Sequence, residues 1–242
     1  MPRHFFEWTR RLSAHLPSSC ALCATDCREN LCADCRDRYF DRTRVRCPQC
    51  GIPIGTVASD SGRCGDCMQH SRQFDATVVA TDYAAPVDHL VLGLKFGGQL
   101  ALAPLLGALL HEAIVHQPGL PALPLLTVVP LSMQRLVERG FNQSLEIARP
   151  LARALNASLV PALLHRTRET QMQATLPPDE RYRNVHGAFV VAGGSTEHLR
   201  GQHIGVVDDV MTTGETLDEI AATLKRCGAT RVTNLVFART PK

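Results

Sequence analysis

The sequence predicts an α/β fold, a mostly parallel sheet flanked by helices, over residues 73–242, with a small cysteine-rich domain ahead of it over residues 1–72. Three observations predict it. From Phe74 onward, short apolar or β-branched runs alternate with stretches of helical periodicity, the pattern of a sheet covered on both faces. Nine of the ten cysteines lie before residue 68, and eight of them form four Cys-x-x-Cys pairs. One apolar strand, 205–208, runs into two adjacent carboxylates and then into a loop of glycine and threonine.

The elements follow in order. Residues 76–83 form a strand rich in β-branched side chains, and Pro86 opens a short helix over 86–95. A longer apolar helix covers 100–116, and 125–130 is a fully apolar strand. Residues 144–156 form a helix that Pro150 is expected to kink or divide. Short strands are expected at 160–165 and 188–192. The strand 205–208 is central, the amphipathic helix 217–227 follows it, and 231–238 is the last strand.

Composition narrows the function classes. The net charge of +3 is mild: residues 1–72 hold eleven Arg against eight Asp or Glu, and the remainder holds fifteen of each sign. Net charge alone therefore does not argue for nucleic acid. The N-terminus is interrupted by charge and lacks the apolar core of a signal peptide. The longest apolar stretch, 100–110, falls short of the roughly twenty residues that a membrane span needs. No membrane insertion, a cytoplasmic location and reduced thiols are the expectation.

Each Cys-x-x-Cys pair can set two thiolates on one metal from a tight turn. In sequence order, Cys20, Cys23, Cys32 and Cys35 would close one zinc site, and Cys47, Cys50, Cys64 and Cys67 a second. One site rather than two is the fallback reading, and disulfides are the competing explanation, disfavoured in a reducing compartment. Cys27 lies between two pairs and could replace a ligand. With every position filled by thiolate, the metals are structural.

The chemistry concentrates at 204–216. Asp208 and Asp209 can accept from two adjacent ribose hydroxyls. Gly214 allows the torsions that turn backbone N–H groups toward one point, and the following helix N-terminus favours a dianionic phosphate. Thr212, Thr213 and Thr216 add hydroxyl donors. The competing reading is an ordinary capped strand–turn–helix, for which paired acids beside a neutral cradle have little use. In parallel sheets, ligands bind beyond the carboxyl ends of the strands, where these acids fall. A second anchor lies at 128–143, where an apolar strand enters a loop carrying Arg135 and Arg139, four residues apart and able to share a helical face. A solvated basic turn is the alternative there. Beside a phosphate loop, the pair suits a pyrophosphate leaving group.

The run Asp208-Asp209 followed by Thr212-Thr213-Gly214-Glu215-Thr216 resembles the phosphoribosyl pyrophosphate (PRPP) motif of type I phosphoribosyltransferases. The resemblance implies that the acids hold the ribose 2′- and 3′-hydroxyls and that residues 212–216 hold the 5′-phosphate, with magnesium accompanying PRPP. Purine-salvage members carry an aspartate where Thr212 stands, so a purine base is disfavoured here. The match then widens. Arg139-Gly140-Phe141-Asn142-Gln143, Leu94-Lys95-Phe96, Arg166-Thr167-Arg168, Thr170-Gln171, Leu176, Arg181, Asn184-Val185 and Ala188-Phe189, behind four cysteine pairs, resemble the competence protein F (ComF) family. This implies a double zinc ribbon joined to a type I phosphoribosyltransferase-like domain, with a role in DNA uptake or use of incoming DNA. It also implies that Lys95, Arg135 and Arg139 serve the pyrophosphate end and that 166–184 forms a hood over the site. Two function classes follow: a phosphoribosyltransferase with an unidentified acceptor, or a PRPP or nucleotide sensor that binds single-stranded DNA or a competence partner.

Overall fold

The computed structural model describes residues 18–41, 43–55, 62–167, 186–194 and 199–241. The first two strands, β1 (Ser18–Ser19) and β2 (Asp26–Cys27), form a short antiparallel pair within the cysteine-rich segment. The centre of the fold is a five-stranded, wholly parallel sheet built from β3 (Ala76–Asp82), β9 (Arg231–Arg239), β8 (His203–Met211), β4 (Leu125–Val128) and β5 (Ser158–Leu159), adjacent in that order. The middle strands are buried nearly throughout because both of their faces are covered. Side chains alternate between two cores. Val207, Leu235 and Phe237 face one that includes α3 (Asp88–Phe96), α4 (Leu102–Val115) and α6 (Gln143–Leu155). Ile204, Val206, Val232 and Val236 face the other, closed by α7 (Glu215–Arg226).

This arrangement puts a crevice in one place. The long helix after β4, α6, packs on one face of the sheet, whereas α7, which follows β8, packs on the other. Neighbouring parallel strands whose next helices diverge leave a gap at their carboxyl ends. Pairing between β4 and β8 runs from Leu125 opposite Ile204 to Val128 opposite Val207 and stops there. Strand β8 continues through Asp208 and Asp209 to Met211, held only by β9. The strand is thus longer than its apolar run: both acids lie within it and not at its end.

The remaining elements flank the crevice. The expected basic loop after β4 is itself a short helix, α5 (Met133–Arg139), capped by the Ser132 hydroxyl and stopped by Gly140 at φ +75°. Asn142 caps α6, accepting from the N–H groups of Ser144 and Leu145. The strand expected at 160–165 is not found over most of that span: β5 ends at Leu159, and β6 (Leu164–Arg166) starts only at Leu164 and pairs antiparallel with β7 (Phe189–Val191), outside the main sheet. Arg168, Thr170, Gln171, Leu176, Arg181, Asn184 and Val185 of the expected hood lie outside the described residues. No helix among the described residues is long and apolar enough to cross a membrane.

Both cysteine-rich units pack into these same cores. Cys20, Leu31, Cys35 and Phe40 join the first, with the Phe40 ring 6.2 Å from that of Phe237. Cys47, Cys50, Ile52 and Cys67 join the second beside Phe74, Met211 and Leu217.

Pro150 does not divide α6, which runs unbroken past it. The lost ladder bond costs stability, but the proline ring fills the contact with Gly107 of α4. A Cβ on Gly107 would lie 2.8 Å from Pro150 Cγ and 3.1 Å from the Ile147 carbonyl oxygen. Neither is the far end of a flexible side chain. Gly107→Val is therefore expected to cost about 1–3 kcal/mol through overpacking, read as a lowered midpoint in thermal or urea unfolding.

Candidate active site and metal centres

At the carboxyl end of β8 the two acids differ in surroundings. Asp209 is 3 % exposed and its Oδ2 lies 2.8 Å from Lys95 Nζ, at the last turn of α3. Asp208 is partly buried; its Oδ1 accepts from Ser144 Oγ at 3.1 Å and from the Asp209 N–H at 2.9 Å. Desolvation, and then the Asp209 charge, push the Asp208 carboxyl up to about 8, against the pull of Lys95 and those two hydrogen bonds.

The loop after β8 has the form expected of an anion cup. Gly214 takes φ +90° and ψ 0°, and α7 begins on it, the first helical bond running from the Asp218 N–H to the Gly214 carbonyl at 2.8 Å. The N–H groups of the first turn therefore have no acceptor within the helix. The Thr213 hydroxyl is buried with no hydrogen-bond partner, and Thr212 is exposed at the mouth. A buried hydroxyl without a partner at a helix start is costly unless something accepts from it. Thr216 is half-buried one turn on. Glu215 does not turn into the cup: its carboxylate pairs with Arg72 at 2.7 Å and lines a separate cavity with Gln73, His186 and Asp218.

The basic groups approach from the other side of the crevice. The Arg139 guanidinium sits 4.9 Å over the Phe96 ring and donates to Gln143 Oε1 at 3.1 Å. Burial lowers its affinity for a proton, and the Asp209 charge works against that. Arg135 is half-exposed one turn earlier on α5 and adds to the positive field at Arg139. Lys95, Asp209, Arg139 and Asp208 thus share one neighbourhood.

Three contributors escape a reading of the sequence. Ser144 orients Asp208. Phe96 carries Arg139. Arg239 is 3 % exposed and donates from Nη1 to the carbonyls of Met211 (3.0 Å), Thr240 (3.1 Å) and Thr212, and from Nε to the Cys50 carbonyl at 3.1 Å. No local signal marks it, since the same strand also carries Arg231, Thr233 and Asn234.

The cysteines gather as their spacing implied. Cys20, Cys23, Cys32 and Cys35 form one cluster, and Cys47, Cys50, Cys64 and Cys67 another, with the sulfurs of each within 4.8 Å of one another. A tetrahedral zinc with Zn–S near 2.3 Å requires S–S separations of about 3.8 Å. Cys23 and Cys32 stand 3.7 Å apart, and Cys50 and Cys64 3.6 Å. Both sets fit the metal. In each, the first pair lies on a tight knuckle whose closing residue, Ala24 or Gly51, adopts positive φ, and the second pair opens a helix, α1 (Ala33–Tyr39) or α2 (Gly65–Gln69). Cys27 stays out, its thiol directed to the Glu29 carbonyl. The Cys50 hydrogen bond holds Cys47 down to about 4, so part of the second cluster is ready to bind metal at neutral pH.

Two predictions follow from this geometry. Elemental analysis is expected to give two zinc ions per chain, and Cys47→Ser one. For Asp208, the unfolded chain releases its proton near pH 4 whereas the folded chain keeps it to about 8. The folded state then binds more protons across that window, and this group's contribution to stability falls as pH rises through it. Asp208→Asn is expected to raise stability by on the order of 1–3 kcal/mol at pH 8, less at pH 5 and not at all below pH 4, as measured by thermal melts across pH.

Comparison with known proteins agrees with this geometry. Residues 12–68 match the double zinc ribbon domain, and residues 142–242 match the phosphoribosyl transferase domain. The chain is 34% identical over 231 residues to the DNA utilization protein YhgH of Escherichia coli (strain K12), covering 93% of this chain and 98% of that one. It is 29% identical over 210 residues to competence protein F of Haemophilus influenzae, covering 85% and 88%. The chain belongs to the competence protein F (ComF) family, in which a double zinc ribbon precedes a phosphoribosyltransferase domain.

Proposed function

We propose that the crevice binds PRPP with magnesium and transfers its phosphoribosyl group to an acceptor, in the service of DNA uptake or the use of incoming DNA. The observation that carries this reading is the meeting of an anion cup, with its buried unpartnered Thr213 hydroxyl, and a carboxylate pair at one strand end where neighbouring helices diverge. The 5′-phosphate would accept from the first-turn amides of α7 and from Thr212, Thr213 and Thr216. Asp208 and Asp209 would accept from the ribose hydroxyls. Lys95 pairs with Asp209 and would turn to the pyrophosphate oxygens with Arg135 and Arg139 as the glycosidic bond breaks. The departing oxygen takes the electron pair, the acceptor supplies the new one, and its proton passes to water or to pyrophosphate. Magnesium would screen the diphosphate charge. Catalysis by positioning and charge stabilisation asks no side chain to act as a base.

The link to DNA rests on the names of the relatives. The ribbons' arginines lend it limited support: Arg36 pairs with Glu29 and Glu112, Arg44 and Arg46 with Asp82, and Arg72 with Asp66 and Glu215. A second reading, a PRPP or nucleotide sensor that binds single-stranded DNA or a competence partner, is favoured by one observation. Thr212, with no carboxylate, stands where a base-assisting acid would be.

Calorimetric titration with magnesium and PRPP tests the site. The protein is expected to bind, and Asp208→Asn with Asp209→Asn to lose at least about tenfold in affinity, each lost charge-assisted hydrogen bond being worth about 1.5–3 kcal/mol. Unchanged affinity in the double variant would sink the reading. Pyrophosphate release across bases, nucleosides and DNA fragments then separates transferase from sensor.

A further inference from the structure

The second cysteine cluster lies against the back of the phosphate loop. Four contacts cross between them. Arg239 spans from the Cys50 carbonyl, inside the knuckle, to the carbonyls of Met211 and Thr212, where the loop leaves β8. Arg72 joins Asp66, between the last two cysteines, to Glu215 at the first turn of α7, at 3.2 and 2.7 Å. The Gln73 N–H donates to Asp218 Oδ1 at 2.6 Å. Phe74 and Met211 pack with Cys47, Cys50 and Cys67 in one core, and both lie beneath Gly214, where a Cβ would stand 2.4 Å from Met211 Cε and 3.8 Å from the Phe74 ring.

The knuckle is seated as firmly on the sheet. Thr77 donates its N–H to the Pro48 carbonyl and its hydroxyl to the Gln49 carbonyl at 2.6 Å. Gly51 leaves no room for a Cβ beside Val79. The first cluster differs: its cross-contacts run to α4 and to the other core, through Arg36 with Glu112 and through Phe40 with Phe237. Among the described residues, neither of these contacts reaches 211–218.

We infer that Arg239 is a positioning residue for the phosphate loop, and that the metal of the second cluster, by fixing the Cys50 carbonyl, sets where that loop sits. A guanidinium suits this task because its planar fork presents several donors in fixed directions and stays charged when buried. Two carbonyls of the loop and one of the knuckle are thereby held on one rigid group. The amides of the cup then point to one place before any ligand arrives, so binding does not have to order them. A ribbon that does no chemistry would still control the affinity of the site in front of it. The ligand half of this inference rests on the proposed PRPP reading; the loop half does not.

Hydrogen exchange in the full-length, zinc-loaded protein tests the loop half without ligand. In Arg239→Met, amides of 211–216 are expected to exchange at least about tenfold faster while those of 232–237 keep their protection. Equal acceleration in both segments, or none in either, overturns the inference. Arg239→Lys, which can reach the loop carbonyls but not all three sites at once, is expected to fall between. Should Arg239→Met fail to fold, the cysteine variants decide: Cys64→Ser is expected to accelerate 211–216 and Cys23→Ser to leave it unchanged, and the reverse or an equal effect overturns the inference. Titration with magnesium and PRPP then reads the consequence, about a tenfold loss of affinity in Arg239→Met with two zinc ions retained. If the wild type binds no PRPP while the exchange result stands, the substrate reading fails and the brace survives. If the wild type binds and Arg239→Met, still folded, binds equally well, the brace does not position the site.

Discussion

Parallel pairing between β4 and β8 ends at Val128 opposite Val207 because the chain after β4 must leave for one face of the sheet while the chain after β8 leaves for the other. Beyond that point β8 keeps a neighbour on one side only, and polar side chains become tolerable in a strand that was apolar until then. Asp208 and Asp209 occupy those positions, and the first turn of α7 opens a few residues on. A cup of amides and a pair of carboxylates are consequently held by one rigid strand and one helix start, with α5 and the end of α3 bringing cations from across the gap. Sites built on element ends in this way keep their geometry better than sites hung on long loops.

The electrostatics are arranged for a charged guest. A lone buried carboxylate is expensive, and two adjacent ones more so. Lys95 compensates Asp209, and Asp208 responds by holding its proton. Lys95, Arg139 and Arg135 bring three cations to the crevice, the polarity that the proposed phosphorylated ligand would need. Placing Arg139 over Phe96 supplies orientation without a carboxylate partner that would cancel its charge.

Much of this was legible in the residues because short-range rules govern it. Cys-x-x-Cys spacing assigns the eight sulfurs and leaves Cys27 aside, since a tight turn can aim two thiolates at one point and a third would need a different backbone. Gly214 marks a left-handed position, whereas the helix starts at Ser132 and Asn142 went unread, because a cap is recognised only once the helix after it is. Apolar periodicity located four strands of the main sheet, missed the two-residue β5, whose length is too short for a period to show, and shortened β8, because a carboxylate reads as an end to an apolar run whatever the backbone does afterwards. Apart from Thr240, its neighbour, the partners of Arg239 lie 27 to 189 residues away in sequence, those of Arg72 6 to 143 and that of Ser144 64. Nothing local distinguishes such a side chain from an ordinary one. Glu215 shows the same limit from the opposite side: its place in the motif suggested the ligand, and the folded chain gives it to Arg72.

The change in composition near residue 72 has no counterpart in the packing. A cluster of four cysteines with a few turns around it buries too little apolar surface to be stable alone. Each unit here resolves that by lending its sulfurs, and a few large side chains such as Leu31, Phe40 and Ile52, to a core that the sheet and helices already need. The benefit is mutual: Phe237 and Val79 of the sheet are covered by residues from the cysteine-rich units rather than by water. Metal binding free energy is then not confined to the ribbons, because whatever holds the knuckles in shape also holds the lids of both cores. A module that looks appended in the sequence is, in the fold, a wall of the building it precedes.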